Sequence, residues 1–433
     1  LTTPRPPPTL ALPRLNRALQ PKSESSPKVP FKFDPRYRIV LGACLTQVVV
    51  VGLLFSYGLF FAIFEQEFGW SRAILSGSMS LTLLSMGLLA TFGGRLTDLY
   101  GPRIVLSVSG VLFGCGVALI SQIEAPWHLF LIFGCLIGVG MATHDVATLS
   151  TVARWFVRRR GAMTGVVKVA TAVGQIFLPG VVAYLIAALG WREAIMVVGF
   201  VAAAVLLLGA LLIDRPAPPA APAPGAAADD SAPVSIPYAE AARTRVFWML
   251  CAAQFLFFPI LGAVPLHIVA HGADLGLTVP QAAALVSTIG AASIAGRLVV
   301  GGLLDRIGGR RSYLLALTPL ILALAALMAI ESPWPLYGAM VLYGFGHGGL
   351  FTVVTPTIAE YFGLNALGAL FGTILFFGAI GGAFGPLMVG FIFDETGSYG
   401  LAFLILTVMA ALAFALIALL PRQLATGSAA ETP

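Results

Sequence analysis

Five ionisable residues stand in the middle of long apolar stretches of this 433-residue chain: His144, Asp145, Lys168, Arg297 and His347. A charge at the centre of a bilayer costs about 2.5–3.5 kcal/mol on insertion scales, so such residues face a cavity and mark function. A guanidinium or ammonium fixed in a low-dielectric cavity attracts a carboxylate, and Arg does so through two parallel hydrogen bonds. Asp145, His144 and His347 can also change charge, which makes proton transfer available. The chemistry is therefore capture and release of an anion with no covalent step. No catalytic constellation is visible, so the chain is not read as an enzyme. There is no G-x-x-x-x-G-K-[ST] loop to cradle phosphates, and no cofactor is implied.

Distances along the chain give depths. Lys168 lies eight residues past Arg160, Arg297 eight before Asp305, and Asp145 nine before Arg154. At 1.5 Å per helical residue these are about 12–14 Å deep, near the midplane of a ~30 Å core. Thr164, Lys168, Thr171 and Gln175 fall at i, i+4, i+7 and i+11, one polar stripe. His144, Thr148 and Thr151 form a similar one. A short loop joins the two segments, so Asp145 is expected to meet Lys168 across an antiparallel hairpin. A structural reading stands beside the functional one. Lys168 and Arg297 can snorkel their charges outward, and an Asp145–Lys168 pair can serve packing alone. His347 lies among Gly344, Gly346, Gly348 and Gly349 and can simply bond a neighbouring helix. His267 and His271 sit toward a span end, where an interfacial position is the default.

The elements that carry these residues are spanning helices. Hydrophobic residues make up 58% of the chain and charged ones 10%, against about 25% charged in soluble proteins. Twelve stretches are long enough to cross a bilayer: 39–64, 73–96, 104–121, 127–153, 160–189, 193–213, 246–270, 280–304, 312–330, 335–360, 366–393 and 399–420. The Lys and Arg residues between them fall almost wholly on one side, with Arg72 and Arg192 on the other. The positive-inside rule then puts both termini in the cytoplasm. In a bacterium the membrane would be the inner one. That placement also explains the basic balance without any nucleic acid. Cys44, Cys115, Cys135 and Cys251 lie in apolar runs without metal-ligand spacing and are read as packing residues.

Residues 1–35, rich in Pro, Ser and basic residues, are expected to be a disordered cytoplasmic tail, as are 423–433. The Pro/Ala-rich stretch 214–245 cannot build a core and reads as a cytoplasmic linker between six-span halves, 36–213 and 246–422. The halves repeat a motif. Gly94-Arg95-Leu96-Thr97-Asp98-Leu99-Tyr100-Gly101-Pro102-Arg103 follows span two, and Gly301 to Arg310, with Asp305 and Gly308 in register, follows span eight. Both read G-x-L-x-D-x-x-G-x-R, which indicates a duplicated architecture. The glycines allow tight turns and close helix approach. The Asp can cap a helix end or pair with an Arg, forming a latch between halves; the plainer reading is a solvated turn.

These residues resemble the major facilitator superfamily, over roughly 36–422. Trp155-Phe156-Val157-Arg158-Arg159-Arg160 through Gly165, with Gly69-Trp70-Ser71-Arg72 and the segment from Gly385-Pro386 to Gly390, Asp394 and Gly397, is similar to its branch of monocarboxylate transporters and oxalate/formate antiporters. The resemblance implies an all-α fold of twelve helices in two pseudo-symmetric halves and alternating access. It makes Arg297 the ligand of the substrate carboxylate, with Lys168 or His144 assisting. Asp145, His144 and His347 become candidates for proton or ion coupling, and Thr164, Thr171, Gln175 and Thr148 for cavity lining. The partners it implies are a small organic anion, protons and the lipid bilayer, with the chain working as a monomer. The chain departs from the family in places: Ser293 stands where eukaryotic members carry an Asp, span one has no Lys, and span eleven has no basic residue. The last point favours one carboxylate over two. Antiport, export of a neutral or drug-like solute, and a non-transporting membrane protein remain the alternatives.

Overall fold

The computed structural model describes residue 34 and residues 36–70, 72–215 and 236–421. The tail expected before residue 34, the middle of the linker (216–235) and the tail from 422 lie outside the described residues.

Among the described residues, twelve helices are long and apolar enough to span a membrane. They are α1 (Tyr37–Phe68), α2 (Arg72–Tyr100), α3 (Pro102–Leu119), α4 (Pro126–Trp155, in segments), α5 (Arg160–Leu189) and α6 (Trp191–Leu212) in the first half. The second half holds α7 (Arg245–Asp274), α8 (Val279–Ile307), α9 (Gly309–Leu327), α10 (Pro335–Phe362), α11 (Leu367–Thr396) and α12 (Gly400–Ala418). Most run a few residues past the limits that hydropathy alone suggests. Aromatic and charged residues at interfaces, such as Tyr37, Glu67 and Arg306, continue a helix that the apolar count would stop.

Glycine and proline set the ends. Gly69, Gly101, Gly190, Gly308, Gly363 and Gly397 follow or join helices with φ between +64° and +90°, a region closed to most side chains. Gly101 and Gly308, the motif glycines, each turn the chain directly into the next helix. The described flanks of the linker are ordered. Asp214 accepts from Arg38 and pairs with Arg103, both at 2.7 Å, and Tyr238–Ala241 forms one helical turn.

Packing repeats between halves. In the first, α1 lies against α5 and α6, and α3 against α6; in the second, α7 lies against α11 and α12, and α9 against α12. Two seams join the halves, α2 with α11 and α5 with α8, which exchange under the same pseudo-twofold. Large apolar residues such as Phe200, Leu211, Leu387 and Leu412 remain exposed on the outside, as a lipid-facing surface requires.

Candidate functional site

The fourth helix is not continuous. Ile132–Ile137 is a π-helical segment, and the helix breaks at Ala142 and Thr143 before resuming at His144–Trp155. Gly138 and Gly140 sit where an added Cβ would come within 2.7 Å of Ser85 and Phe113, so α4 is pressed against α2 and α3 just before the break. The break places His144 and Asp145 in the first turn of an inner half-helix, whose free N–H groups favour a negative charge.

Asp145 is the hub of the site. Lys168 Nζ, from α5, donates to its Oδ1 at 2.5 Å, and Gln47 Nε2, from α1, donates to the same oxygen at 2.8 Å. Gln47 also donates to the Thr148 hydroxyl at 3.0 Å. Lys168 is 4% exposed, so its charge is neutralised inside the protein. Asp145 and Lys168 line a cavity of about 290 Å³ with Gln254, Phe258, Phe351 and Phe371, at the junction of the two halves.

Arg297, on α8, is 3% exposed. Its backbone lies against Gly165 of α5, where an added Cβ would be 2.4 Å from the Arg297 carbonyl oxygen. Its Cζ sits 5.9 Å from the Phe351 ring centroid, and Lys168 Nζ sits 5.6 Å from the same ring. Both are within cation–π range. Arg297 Nε and Nη1 are buried and find no hydrogen-bond partner among the described residues. A buried donor left unmade costs about 1–3 kcal/mol, more when charged. With Asp145 ionised, the cluster keeps one net positive charge, and it resides on Arg297.

The other candidates separate. Thr164 and Thr171 are buried on α5; the Thr171 hydroxyl donates to the Lys168 carbonyl at 2.5 Å, while Thr164 Oγ1 has no partner among the described residues. Gln175 is half-buried, two turns further along. His347 Nδ1 is 3.3 Å from the Ser293 hydroxyl, one turn before Arg297 on α8. His144 does not line the central cavity. It faces a second one of about 210 Å³ inside the first half, with Thr46, Val50, Ser109 and Leu206. His267 bonds the Pro386 carbonyl at 3.1 Å, and His271 packs on Tyr399 and Phe403, both in the α7–α11–α12 contact.

At the arginine-rich end the two motif aspartates reach across the halves. Asp98 accepts from Gly368 N at 3.3 Å and Ala369 N at 3.1 Å, the first turn of α11, and from Arg154 at 2.5 Å. Arg154 in turn donates to the Leu364 carbonyl, also across the halves. Asp305 accepts from Gly161 N at 2.8 Å and Ala162 N at 3.0 Å, the first turn of α5. Gly94 lies against the Gly368 carbonyl and Gly301 against that of Gly161, at distances no Cβ would tolerate. Arg103 and Arg310, by contrast, stay within their own halves, on Leu211 and Ala418 carbonyls. The seams are sealed from this end to the level of Arg297. Beyond it, Gly290, two turns along the same face of α8, has nothing within 4 Å of an added Cβ.

Sequence reasoning missed Gln47, Gln254 and Arg154. The two glutamines did carry a signal, since a lone amide in mid-span needs a partner. The N–H donors of Gly161 and Gly368 carried none, because their role depends on how the halves meet.

The family model of the Major Facilitator Superfamily matches residues 43–329 and 259–432. Monocarboxylate transporter 13 of Rattus norvegicus is 27% identical over 379 residues, covering 85% of each chain. An uncharacterised MFS-type transporter of Escherichia coli, YhjX, is 26% identical over 346 residues, covering 78% of this chain and 84% of its own. Among solved structures, the transporter FucP in the outward conformation superposes with a TM-score of 0.71 at 15% identity, over 89% of this chain and 99% of that one.

Proposed function

Because the chain belongs to the Major Facilitator Superfamily, and so carries out membrane transport, we propose that it is a secondary active transporter of a small organic anion, foremost a monocarboxylate. One observation carries the reading: Arg297 is buried beside Phe351, a wall of the cavity that Lys168 lines, and two of its nitrogens find no partner among the described residues, while Lys168 is already paired. A carboxylate supplies two acceptors to a guanidinium in one plane. The likeness to monocarboxylate transporter 13 points the same way.

In this reading the arginine-rich end is cytoplasmic, the present state is closed at that end, and the open end of the cycle is the outer one. The anion enters from the open end and docks on Arg297, beside Phe351. Its charge cancels the excess at the midplane and lowers the cost of closing the cavity to water. Closure of the outer end then strains the inner seams until Asp98 and Asp305 leave the helix ends they cap. The anion is released inward, and a single chain suffices for the cycle. Asp145, between Lys168 and His144, is the group through which a coupling ion would act.

Proteoliposomes holding the full chain test this. Wild type should exchange labelled pyruvate for unlabelled pyruvate saturably, and Arg297→Gln should abolish that exchange. Transport of anions that survives Arg297→Gln would refute the site; flux without saturation or counterflow would refute the carrier mechanism.

A further inference from the structure

His144 is fixed in a way that leaves it one titratable atom. Its Nδ1 lies 2.5 Å from the Met141 carbonyl oxygen. A carbonyl only accepts, so Nδ1 carries the hydrogen and the exchangeable position is Nε2. Nε2 in turn lies 3.8 Å from Asp145 Oδ1. In the neutral ring this sets a lone pair against a carboxylate. With a proton added, it sets an imidazolium N–H beside the oxygen that Lys168 already holds.

The imidazole also faces the second cavity, whose walls are α1, α3, α4 and α6, all from the first half. Thr46 and Ser109 line it with His144, and Ser109 accepts from Thr143 at 2.7 Å beside the helix break. Three polar side chains, Thr46, Ser109 and His144, line the cavity, with room for about one water. Close packing narrows it: Gly110 lies against Leu206, and Gly140 against Phe113 and the Ser109 carbonyl. The charged groups near His144 are Asp145 on its own helix and Lys168 from α5. The cavity walls from α1, α3 and α6 contribute none.

The geometry points to a proton site at His144 Nε2, behind α4 and off the anion's path, that couples proton to anion by exchanging partners on Asp145. This rests on the anion reading above and deepens it. A proton bound at Nε2 makes His144 a second cation for Asp145. The carboxylate then turns its share of charge from Lys168 to His144, and the Lys168 ammonium is freed toward the central cavity. Arg297 and Lys168 then hold the carboxylate together. Loss of the proton returns Lys168 to Asp145 and loosens the anion. One proton and one anion cross together, and no bond beyond N–H is made or broken. Because the chamber lies within one half, rocking of the halves need not open it while the anion is in transit.

The test uses the full chain in proteoliposomes with a trapped pH-sensitive dye and labelled pyruvate. Wild type should take up one proton per pyruvate and accumulate it about tenfold for a one-unit inside-alkaline gradient. His144→Gln should lose the accumulation, with the internal and external concentrations equal at steady state, while pyruvate exchange continues. Ser109→Val leaves Asp145 untouched and should slow the proton-driven uptake in the same direction, which guards against a His144 variant that fails to fold. Accumulation by His144→Gln at the wild-type level overturns the proposal, as does a wild type that moves pyruvate without protons. Coupling lost in Asp145→Asn but kept in His144→Gln would put the proton on the carboxylate and also overturn it. Exchange that persists in Arg297→Gln would instead sink the anion site and leave the His144 result to stand by itself.

Discussion

Lys168 and Arg297 sit at one depth on facing helices and share one aromatic neighbour, Phe351. The molecule treats them in opposite ways. Lys168 has a carboxylate at 2.5 Å, whereas Arg297 keeps two buried nitrogens without a partner among the described residues. In the proposed reading, one cation neutralised from within and one left open present a single positive site to the guest. The choice of residue agrees with the roles. An ammonium can trade partners as a point charge, and a guanidinium holds a carboxylate in one plane.

If Lys168 is held and Arg297 is waiting, their replacements should differ in kind. Lys168→Met strands Asp145 as an uncompensated buried charge. We expect it to lower stability by about 3–5 kcal/mol, with most regained in Lys168→Met/Asp145→Asn. Thermal unfolding of the purified variants measures both, and equal stability of single and double variants would break the comparison from the Lys168 side. Arg297→Gln should unfold like wild type, yet lose pyruvate exchange about 100-fold or more. Adding Asp145→Asn to it frees Lys168 and should recover about a tenth of that loss if the ammonium reaches the same guest. A double variant as inactive as the single one would mean that the two cations serve separate spaces.

A smaller difference separates the two clasps at the arginine-rich end. Asp98 holds two backbone N–H groups and an arginine, while Asp305 holds two backbone N–H groups. Charge-assisted bonds are worth about 1.5–3 kcal/mol each, so Asp98→Asn should open this end more than Asp305→Asn. Distances between spin labels across the α2–α11 and α5–α8 seams would show it; equal opening would mean that Arg154 adds nothing. The smallest effect is expected at Ser293. Its hydroxyl meets His347 at 3.3 Å, and Ser293→Ala should change pyruvate affinity by about 1 kcal/mol or less in exchange assays.

Much of this is legible in the amino-acid sequence alone. Apolar length gave the twelve helices, and the repeated G-x-L-x-D-x-x-G-x-R gave the two halves. Helical spacing across a short hairpin brought Asp145 to Lys168. What hydropathy cannot see is a break inside an apolar helix. Consecutive residues on a helix point about 100° apart, so His144, next to Asp145 in sequence, faces the chamber beside α3 while Asp145 lines the central cavity. The partners of Asp98 and Asp305 were hidden for another reason. They are backbone N–H groups at helix starts, which every sequence possesses, and only the meeting of the halves selects Gly368 and Gly161. Gln47 and Gln254 were overlooked because each is a lone amide in a largely apolar run. Burial makes such residues expensive, and therefore informative.

Equilibrium binding tests the central claim most directly: isothermal titration of pyruvate into the purified full chain and into Arg297→Gln, each at matched pH and ionic strength. Saturable binding to wild type that vanishes in Arg297→Gln, with the fold intact by thermal unfolding, is the predicted result. Binding of equal affinity in both would contradict the account.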